Sequence, residues 1–415
     1  MEALTIAHMT LFASLGLLGY SYVGYPVMLW FFSRFRQEDW AIRGDPAVWP
    51  QVSIIIAAHN EEPVIGRRIE NLLALEYPPE RLQILIGSDG STDRTSEIVR
   101  LYRRPWIEFH DFALQRGKAE VLNDLVAVAR GKFIVFTDAN TLFEPDAVKE
   151  LIRGFRLTPR ACAVVGKLEC RTAEGAVTSD GFYWRYETLL KTLESRFGTV
   201  LGATGEIYAI KRSWFRALPS GTIVDDFLIP MLMRLERGGA VVFRPTAKAW
   251  ERAPETVRDE FRRRVRIGAG EAHALRHTWP LLLPSHGMLA LSYWSHKMLR
   301  WMGPALLLTA LVANLWLVAY PWARALLVAH LAIYGLGFAS VWLRNVPILG
   351  SLAAGVWSVM ALMAALVAGT LEYVSGRASP VSQRTPSRAA RMPGPCVPRT
   401  QNTAAARSKE DSSAA

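Results

Sequence analysis

Residues 52–62 have the sequence VSIIIAAHNEE, in which an apolar run rich in isoleucine gives way to four polar residues. A short β-branched run of this kind is typical of a buried strand, here over residues 52–57, and the residues that follow predict a helix over 63–75. The same alternation predicts further strands over 82–87 and 133–137 and further helices over 92–102 and 118–129. Strands and helices that alternate at this spacing indicate an α/β domain with an open, mainly parallel sheet covered by helices.

Polar side chains stand where the predicted strands end. Glu61 follows the first strand, Asp89 ends the second, and Asp138 and Asn140 follow the strand over 133–137. Ligands of open sheets bind beyond the carboxyl ends of the strands, so these residues are candidates for binding a base, a ribose or a cation. An acid with a second oxygen two residues later suits Mg²⁺, which one or two carboxylates usually hold together with substrate phosphates. The alternative is that all four are turn or helix-capping residues.

Two charged groups lie later in the chain. Asp225 and Asp226 precede an apolar helical run, where one acid can face a cleft, or both can be capping or solvated residues. Residues 260–268, EFRRRVRIG, place Arg263 and Arg266 next to each other on one face of a helix. Arginine forks match phosphate oxygens, so this helix suits a pyrophosphate. An amphipathic helix that rests on anionic lipid headgroups is the other interpretation.

Four long runs contain no Asp, Glu, Lys or Arg: residues 3–33, 301–323, 325–343 and 345–371. About 20 apolar residues span a bilayer, so each run is a candidate membrane helix rather than a buried core helix. Arg34 and Arg36 follow the first run and place that end in the cytoplasm by the positive-inside rule. Four spans would put the C-terminal tail across the membrane from the central domain, unless a segment over 279–294 is partly inserted.

The composition excludes several classes of protein. Hydrophobic residues make up 51% of the chain and charged residues 20%, which excludes a disordered or collagen-like chain. Cys162, Cys170 and Cys396 are too few and too widely spaced for a disulfide framework or a CxxC zinc site. Residues 377–415 hold seven Lys or Arg and two acids, so this low-complexity tail carries +5 of the net charge of +11. The remaining basic residues form no patch interleaved with aromatics, and no nucleic-acid partner is predicted.

Taken in order, these segments resemble the membrane glycosyltransferases of family 2. Those enzymes have a GT-A fold and include cellulose, chitin, hyaluronan and poly-N-acetylglucosamine synthases. The resemblance covers about residues 50–275. It is carried by VSIIIAAHNEE (52–62), SDGSTD (88–93), RGKA (116–119) with LN (122–123), FTDAN (136–140), GATG (202–205), DD (225–226) and EFRRRVRIG (260–268). Each motif is weak alone, but the ordered set is specific.

The resemblance implies a site for a nucleotide sugar. Glu61 and Asp89 would contact its base and ribose, and Lys118 would lie near its phosphates. Asp138 and Asn140 would hold a divalent cation, Mg²⁺ or Mn²⁺. The family usually has a second Asp where this chain has Asn140, which can still bind a cation through its carbonyl oxygen.

The arginine-rich helix matches the family's QxxRW segment in part. By the resemblance, Arg263, Arg264 and Arg266 would bind the diphosphate. Arg263 and Ile267 stand where processive enzymes carry Gln and Trp, whereas Arg266 keeps the basic position. That Trp helps to bind the acceptor sugar in processive synthases, so its absence favours a non-processive or short-product enzyme.

The resemblance also implies the reaction. Asp226 occupies the position of the family's catalytic base, and Thr204 and Gly205 would line the acceptor. We therefore expect an inverting glycosyltransferase that moves a sugar, here expected to be UDP-linked, to a lipid-linked or glycan acceptor in polysaccharide or glycolipid synthesis. The alternatives are a processive polysaccharide synthase, a polyprenyl-phosphate glycosyltransferase and, in a different class, a non-catalytic membrane scaffold.

Five segments are expected along the chain. They are an N-terminal transmembrane anchor over 1–33, a GT-A domain over 50–251, amphipathic or interfacial helices over 254–299, three transmembrane helices over 301–373 and a disordered basic tail over 377–415. We expect an integral protein of the cytoplasmic membrane, in contact with its lipids, with the catalytic domain facing the cytoplasm.

Overall fold

The computed structural model describes residues 2–36, 45–171, 182–252 and 257–378 of the 415-residue chain. Of the predicted tail over 377–415, only the first two residues are among them. The strands in these ranges are β1 Val52–Ala58, β2 Leu82–Asp89, β3 Ile107–Phe112, β4 Phe133–Phe136, β5 Leu142–Phe143, β6 Ala161–Arg171, β7 Tyr208–Lys211 and β8 Ala240–Arg252.

The helices α1 to α8 are Glu2–Gly19, Tyr25–Ser33, Glu62–Leu73, Thr95–Leu101, Lys118–Val128, Ala147–Leu157, Phe182–Ser195 and Asp225–Arg237. The helices α9 to α15 are Val257–Thr278, Met288–Ser292, Leu299–Trp301, Gly303–Trp316, Pro321–Phe338, Ser340–Leu343 and Leu349–Val374. The predicted strands and helices of the central domain are confirmed, with ends that differ by no more than three residues.

The strands form one sheet in the order β3-β2-β1-β4-β7-β6-β8-β5. Strands β3, β2, β1 and β4 are parallel, as the alternation predicts. Beyond β4 the sheet is mixed, because β7 pairs antiparallel with both β4 and β6, while β8 runs parallel to β6. The carboxyl ends of β1, β2 and β4 therefore open towards the same edge, which is where the polar motifs follow.

Both faces of the sheet are covered, and β1 shows why. Ile54 and Ile56 belong to an apolar cluster with Ile65 and Ile69 of α3, whereas Ile55 belongs to a second cluster with α5 residues such as Leu122. Alternate side chains of a strand point to opposite faces, so an unbroken apolar run is what a strand buried on both sides requires.

Among the described residues, three helical segments are long and apolar enough to cross a membrane: Glu2–Ser33, in which a π-helical turn joins α1 to α2, and the helices α13 and α15. The expected span over 301–323 differs from the structure. Residues Met288–Trp301 and the short helix α12 form a pair bent by 62°. Gly303 and Pro304 begin α12 at this break, and Pro321 begins the next helix. Proline lacks a backbone N–H and clashes with the preceding turn, so it favours a new helix start over a straight span.

Helix α9 packs closely against the membrane helix α15. A Cβ atom on Gly369 would lie 2.1 Å from the carbonyl oxygen of Val265 and 2.7 Å from the backbone nitrogen of Ala269, and one on Gly268 would lie 3.1 Å from the Cα atom of Leu366. Small residues allow two helices to approach in this way within a membrane.

Gly369→Ala is therefore expected to destabilise the protein by about 1–3 kcal/mol, the usual cost of overpacking. A lower thermal unfolding midpoint in detergent would measure this effect. Gly355→Ala is the matched control, because Gly355 lies on the same helix with no atom within 4 Å of its Cβ position. Equal midpoints for the two variants would show that the close packing does not contribute.

Candidate active site

The loops after β1 and β2 are tied together by hydrogen bonds. The backbone N–H of Glu61 donates to the Thr95 hydroxyl (2.8 Å), and the backbone N–H of Thr92 donates to the Asn60 amide oxygen (2.8 Å). Asp93 accepts from the backbone N–H of Glu62 at 3.0 Å. Many polar residues of these two motifs thus stabilise the loops, which agrees with the turn interpretation. The same hydrogen bonds fix the position of Glu61 at the edge of the sheet.

Asp89 positions the start of α5. Its carboxylate is 4% exposed and accepts from the backbone N–H groups of Arg116 (2.8 Å) and Gly117 (2.9 Å). Gly117 has φ 98°, a conformation that favours glycine. The consequence is that Lys118, the first residue of α5, extends from this turn towards the end of β4.

Lys118 joins two of the predicted acidic groups. Its ammonium lies 3.0 Å from Oδ1 of Asp138 and 3.2 Å from Oδ1 of Asp225. Burial lowers the pKa of Lys118, but the attraction of Asp138 and Asp225 outweighs it and raises the pKa above the ordinary value. Lys118 therefore stays charged at neutral pH and links the end of β4 to the start of α8.

Asp226 lies against the loop over residues 202–205. Its Oδ2 accepts from the backbone N–H of Gly205 at 3.2 Å, and its Oδ1 accepts from the backbone N–H of Phe227 at 2.9 Å. Gly202 has φ 76°, and a Cβ there would lie 2.8 Å from the Phe227 ring, so glycine permits the loop to fold over α8. Burial and the nearby Glu206 raise the pKa of Asp226, and Lys118 partly opposes this. A carboxylate with a raised pKa is better matched to accept a proton near neutral pH.

Arg263 reaches two acids that the sequence did not single out. Its guanidinium lies 3.3 Å from Oε1 of Glu206 and 3.9 Å from Oε1 of Glu251. Burial and repulsion from Glu251 raise the pKa of Glu206. Glu206 directly follows the GATG motif, and Glu251 lies near the end of β8, a strand that the sequence did not predict, so residue type and spacing gave no signal that either acid pairs with Arg263.

The other predicted arginines are placed differently. The Nε of Arg264 donates to Glu260 of the same helix at 2.6 Å, and the side chain of Arg266 is exposed. Arg263 is thus the arginine of this helix that the structure brings beside the acidic residues around Asp226.

Comparison with known proteins fits this arrangement. The profile of the family described as Glycosyl transferase family 2 matches residues 53–218. The chain carries a glycosyl transferase family 2 domain. The predicted family resemblance and the GT-A fold are both confirmed.

Relatives of known name share this domain. The chain is 26% identical over 239 residues to the poly-beta-1,6-N-acetyl-D-glucosamine synthase of Staphylococcus epidermidis, covering 56% of this chain and 57% of the relative. It is 30% identical over 243 residues to a Bacillus subtilis (strain 168) protein named Probable glycosyltransferase YdaM, covering 54% of this chain and 56% of the relative. The chain thus spans about half the length of the curated relatives it matches.

A solved structure has the same fold over most of the chain. The mannosyltransferase PcManGT from Pyrobaculum calidifontis, in complex with GDP-Man and Mn²⁺, matches with a TM-score of 0.65 and 21% identity. The match covers 90% of this chain and 99% of that one, so it includes helices outside the family 2 domain.

The predicted metal position presents oxygen atoms suited to a hard cation. Asn140 donates from its amide nitrogen to Glu251 (3.3 Å), while its Oδ1 atom is buried and has no hydrogen-bond partner among the described residues. Asp138 lies two residues before it at the same strand end. Over the described ranges, His, Cys, Asp and Glu form no group of three or more that could hold a metal. Asp138 and Asn140 would offer two oxygen ligands to a divalent cation, and substrate phosphates would have to supply others.

Lys191 is a further residue that sequence reasoning missed. It lies on α7, and its ammonium donates to the hydroxyl of Thr204 at 2.8 Å. Thr204 is next to Gly205, whose N–H binds Asp226. A single lysine on an amphipathic helix gives no signal in the sequence, because its partner lies 13 residues away on a loop.

Proposed function

We propose that the protein is a membrane-bound inverting glycosyltransferase that moves a sugar from a nucleoside-diphosphate sugar to a lipid-linked or glycan acceptor. The observation that carries this proposal is the position of Asp226. Its carboxylate accepts hydrogen bonds from two backbone N–H groups, and the pKa of this carboxylate is raised. Asp226 also follows Asp225, the first residue of α8, and Lys118 forms ion pairs with both Asp225 and Asp138.

The proposed reaction is a single displacement. An acceptor hydroxyl attacks the anomeric carbon, the bond from that carbon to the diphosphate oxygen breaks, and Asp226 takes the hydroxyl proton. A well-placed base contributes about 10²–10⁴-fold to the rate. Asp225 is unsuited to act as a second nucleophile, because its side chain is 7% exposed and paired with Lys118. One displacement inverts the anomeric configuration.

The departing diphosphate needs positive charge. We propose that Lys118 and Arg263 supply it from the protein and that Asp138 and Asn140 would hold a divalent cation. When bound, such a cation would offset charge on the diphosphate oxygens. PcManGT, which has the same fold, is in complex with Mn²⁺ and a nucleotide sugar, and this supports the proposal of a divalent cation and such a donor. Glu61 and Asp89 are proposed to contact the nucleoside.

A polysaccharide synthase is the second candidate function. Relatives that share the family 2 domain are named poly-beta-1,6-N-acetyl-D-glucosamine synthases, which favours an N-acetylglucosamine donor and a polymeric product. Arg263 and Ile267, at positions where processive enzymes carry Gln and Trp, favour a short product. Product length therefore separates the two candidates.

We propose that the protein lies in the cytoplasmic membrane with its catalytic domain on the cytoplasmic side. The basic residues after the first membrane segment support this orientation. If the bent pair over Met288–Trp301 and Gly303–Trp316 enters and leaves on the same side, α13 and α15 are two crossings. The end of α15 then lies on the same side of the membrane as the catalytic domain.

One screen tests the proposed function. Washed membranes that contain the full-length protein, and that supply the acceptor, are incubated with UDP-N-acetylglucosamine, UDP-glucose or GDP-mannose and with Mg²⁺ or Mn²⁺, and nucleotide release is compared with that of membranes without the protein. We expect release with one donor, and the length of the sugar product then identifies a single transfer or a synthase. Release with none of the donors would favour the membrane scaffold.

Arg263→Gln is expected to raise the donor KM about tenfold, as for the loss of a hydrogen bond to a charged group. The reason is that Arg263, unlike its neighbours, lies beside Glu206 and Glu251 at the proposed site. The measurement is donor kinetics in detergent, with Arg262→Gln as control because Arg262 is exposed on the same helix. Unchanged kinetics for Arg263→Gln would favour the lipid-headgroup interpretation of this helix.

A further inference from the structure

A small cleft opens beside Thr204. Its lining includes Lys167 of β6, Thr188 and Lys191 of α7, Thr204 itself and Phe243 of β8. Two of these five side chains are cationic and two are hydroxyls, and the lining also includes Leu168 and one acid, Glu187. Such a lining suits an anionic group.

Lys191 has hydrogen-bonding capacity to spare. An ammonium carries three N–H donors. One of them is used by the Thr204 hydroxyl at 2.8 Å, and none of the residues that the structure describes forms an ion pair with Lys191. Burial lowers the pKa of Lys191, against the attraction of Glu187 and Glu206, so an anion bound in the cleft would stabilise the charged form.

The acid in this cleft is already neutralised. Glu187 accepts from Arg300 at 2.6 Å and lies 3.4 Å from Nε2 of His296. Lys167 lies 3.2 Å from Glu169 and remains 34% exposed at its side chain. The positive charge available to a ligand in this cleft is therefore mainly that of Lys191, because Lys167 is already paired with Glu169.

The cleft lies between the membrane helices and the proposed base. On the far side of α7, Leu190 and Leu193 pack against Tyr25 and Leu29 of α2. On the near side, Lys191 binds Thr204, which is joined to the Gly205 N–H that binds Asp226. An acceptor that arrives from the bilayer would pass α7 before it reaches Asp226.

We propose that Lys191 binds the phosphate of a lipid-linked acceptor and so places that acceptor beside Asp226. This inference rests on the proposed function and specifies its acceptor class. A neutral glycan acceptor would give the Lys191 ammonium no ion-pair partner, whereas a lipid phosphate supplies one and would account for the packing of α7 against α2.

The test uses decyl phosphate as a short lipid phosphate, with decyl β-D-glucoside as a neutral lipid of the same chain length and inorganic phosphate as a free anion. Binding to the full-length protein in detergent is measured by titration calorimetry. We expect decyl phosphate to bind at least tenfold more tightly than either control probe. Lys191→Met should abolish this preference, and Lys191→Arg should largely restore it.

Lys132→Met is the matched control, because Lys132 is exposed and precedes β4 at the end opposite to the predicted site. It should bind decyl phosphate like the unmodified protein. Thermal unfolding midpoints show whether Lys191→Met is folded, and Lys191→Arg remains informative if it is not. Equal binding of decyl phosphate and decyl glucoside, or decyl phosphate binding that survives in Lys191→Met, would overturn the inference.

The outcome is separable from that of the proposed function. Nucleotide release in the donor screen tests the transferase alone, because the membranes supply the acceptor whatever its chemical class. Release with no Lys191-dependent binding would reject the acceptor assignment and keep the transferase. Lys191-dependent binding without release from any donor would reject the transferase and leave a lipid-phosphate site.

Discussion

Asp226→Asn is expected to lower kcat for sugar transfer by about 10²–10⁴-fold, the usual contribution of a general base. Asparagine keeps the shape of the side chain, but it has one acceptor oxygen, so it can accept from only one of the two N–H groups of Gly205 and Phe227, and it cannot take a proton. The donor KM should change little. The measurement is steady-state transfer with the donor that the nucleotide-release screen identifies.

Asp225→Asn is the matched control, because the two acids are adjacent and differ in their surroundings. Asp225 is buried and paired with Lys118, whereas Asp226 is partly exposed beside the acceptor loop. Asp225→Asn should weaken the ion pair that positions Lys118. Because Lys118 is proposed to bind the diphosphate, this variant should raise the donor KM more than it lowers kcat. An inactive Asp225→Asn together with an active Asp226→Asn would reverse the two assignments.

The pH profile gives an independent check on the same residue. A general base works in its ionised form, so kcat should fall as the pH drops through the pKa of Asp226. Burial and Glu206 raise that pKa above its ordinary value, so the acid limb should lie at higher pH than for an unperturbed aspartate.

Local sequence was sufficient to predict the positions of candidate site residues that stand at the end of a strand. Asp138 lies two residues after β4, and Asp89 ends β2, so strand prediction alone places both at the carboxyl edge of the sheet. The parallel order of the first four strands also follows from the alternation of strands and helices. The antiparallel pairs of β7 do not follow from this alternation. Strand β4 ends 72 residues before β7 begins, and between β6 and β7 lies α7, a helix that the sequence did not predict.

Contacts between distant segments could not be predicted in the same way. Lys118 contacts Asp225, which is more than 100 residues later, and Arg263 contacts Glu206 and Glu251 on two different elements. Each of these pairings depends on how α5, α8 and α9 pack on the sheet. Residue type and spacing do not report such packing, so Glu206, Glu251 and Lys191 emerge only from the fold.

The bent pair before α13 shows the same limit in the membrane region. Absence of charge over residues 301–323 indicates an apolar environment but does not determine the direction of the chain. Gly303 and Pro304 stand at the break, and the preceding helix ends there, at the start of the apolar run. Hydropathy therefore identified apolar segments but not where the helices within them begin and end.

Asp138→Ala is expected to lower kcat/KM for the donor by about 100-fold or more, in line with the loss of one group that stabilises developing charge. The side chain has two roles in the proposed site. It pairs with Lys118 at 3.0 Å, and it would hold the divalent cation together with Asn140. Added Mn²⁺ or Mg²⁺ should not restore full activity. The measurement is donor kinetics over a titration of each metal.

Two comparisons separate these roles. Asn140→Ala should cost less than Asp138→Ala, because Asn140 carries no charge and makes no contact with Lys118 in the described part of the chain. Asp138→Asn keeps an oxygen ligand but weakens the pair with Lys118, so excess metal should rescue it better than Asp138→Ala. Undiminished activity of the unmodified protein in EDTA would reject the metal. The loss in Asp138→Ala would then be due to Lys118, which would remain the cation closest to the departing diphosphate at the end of β4.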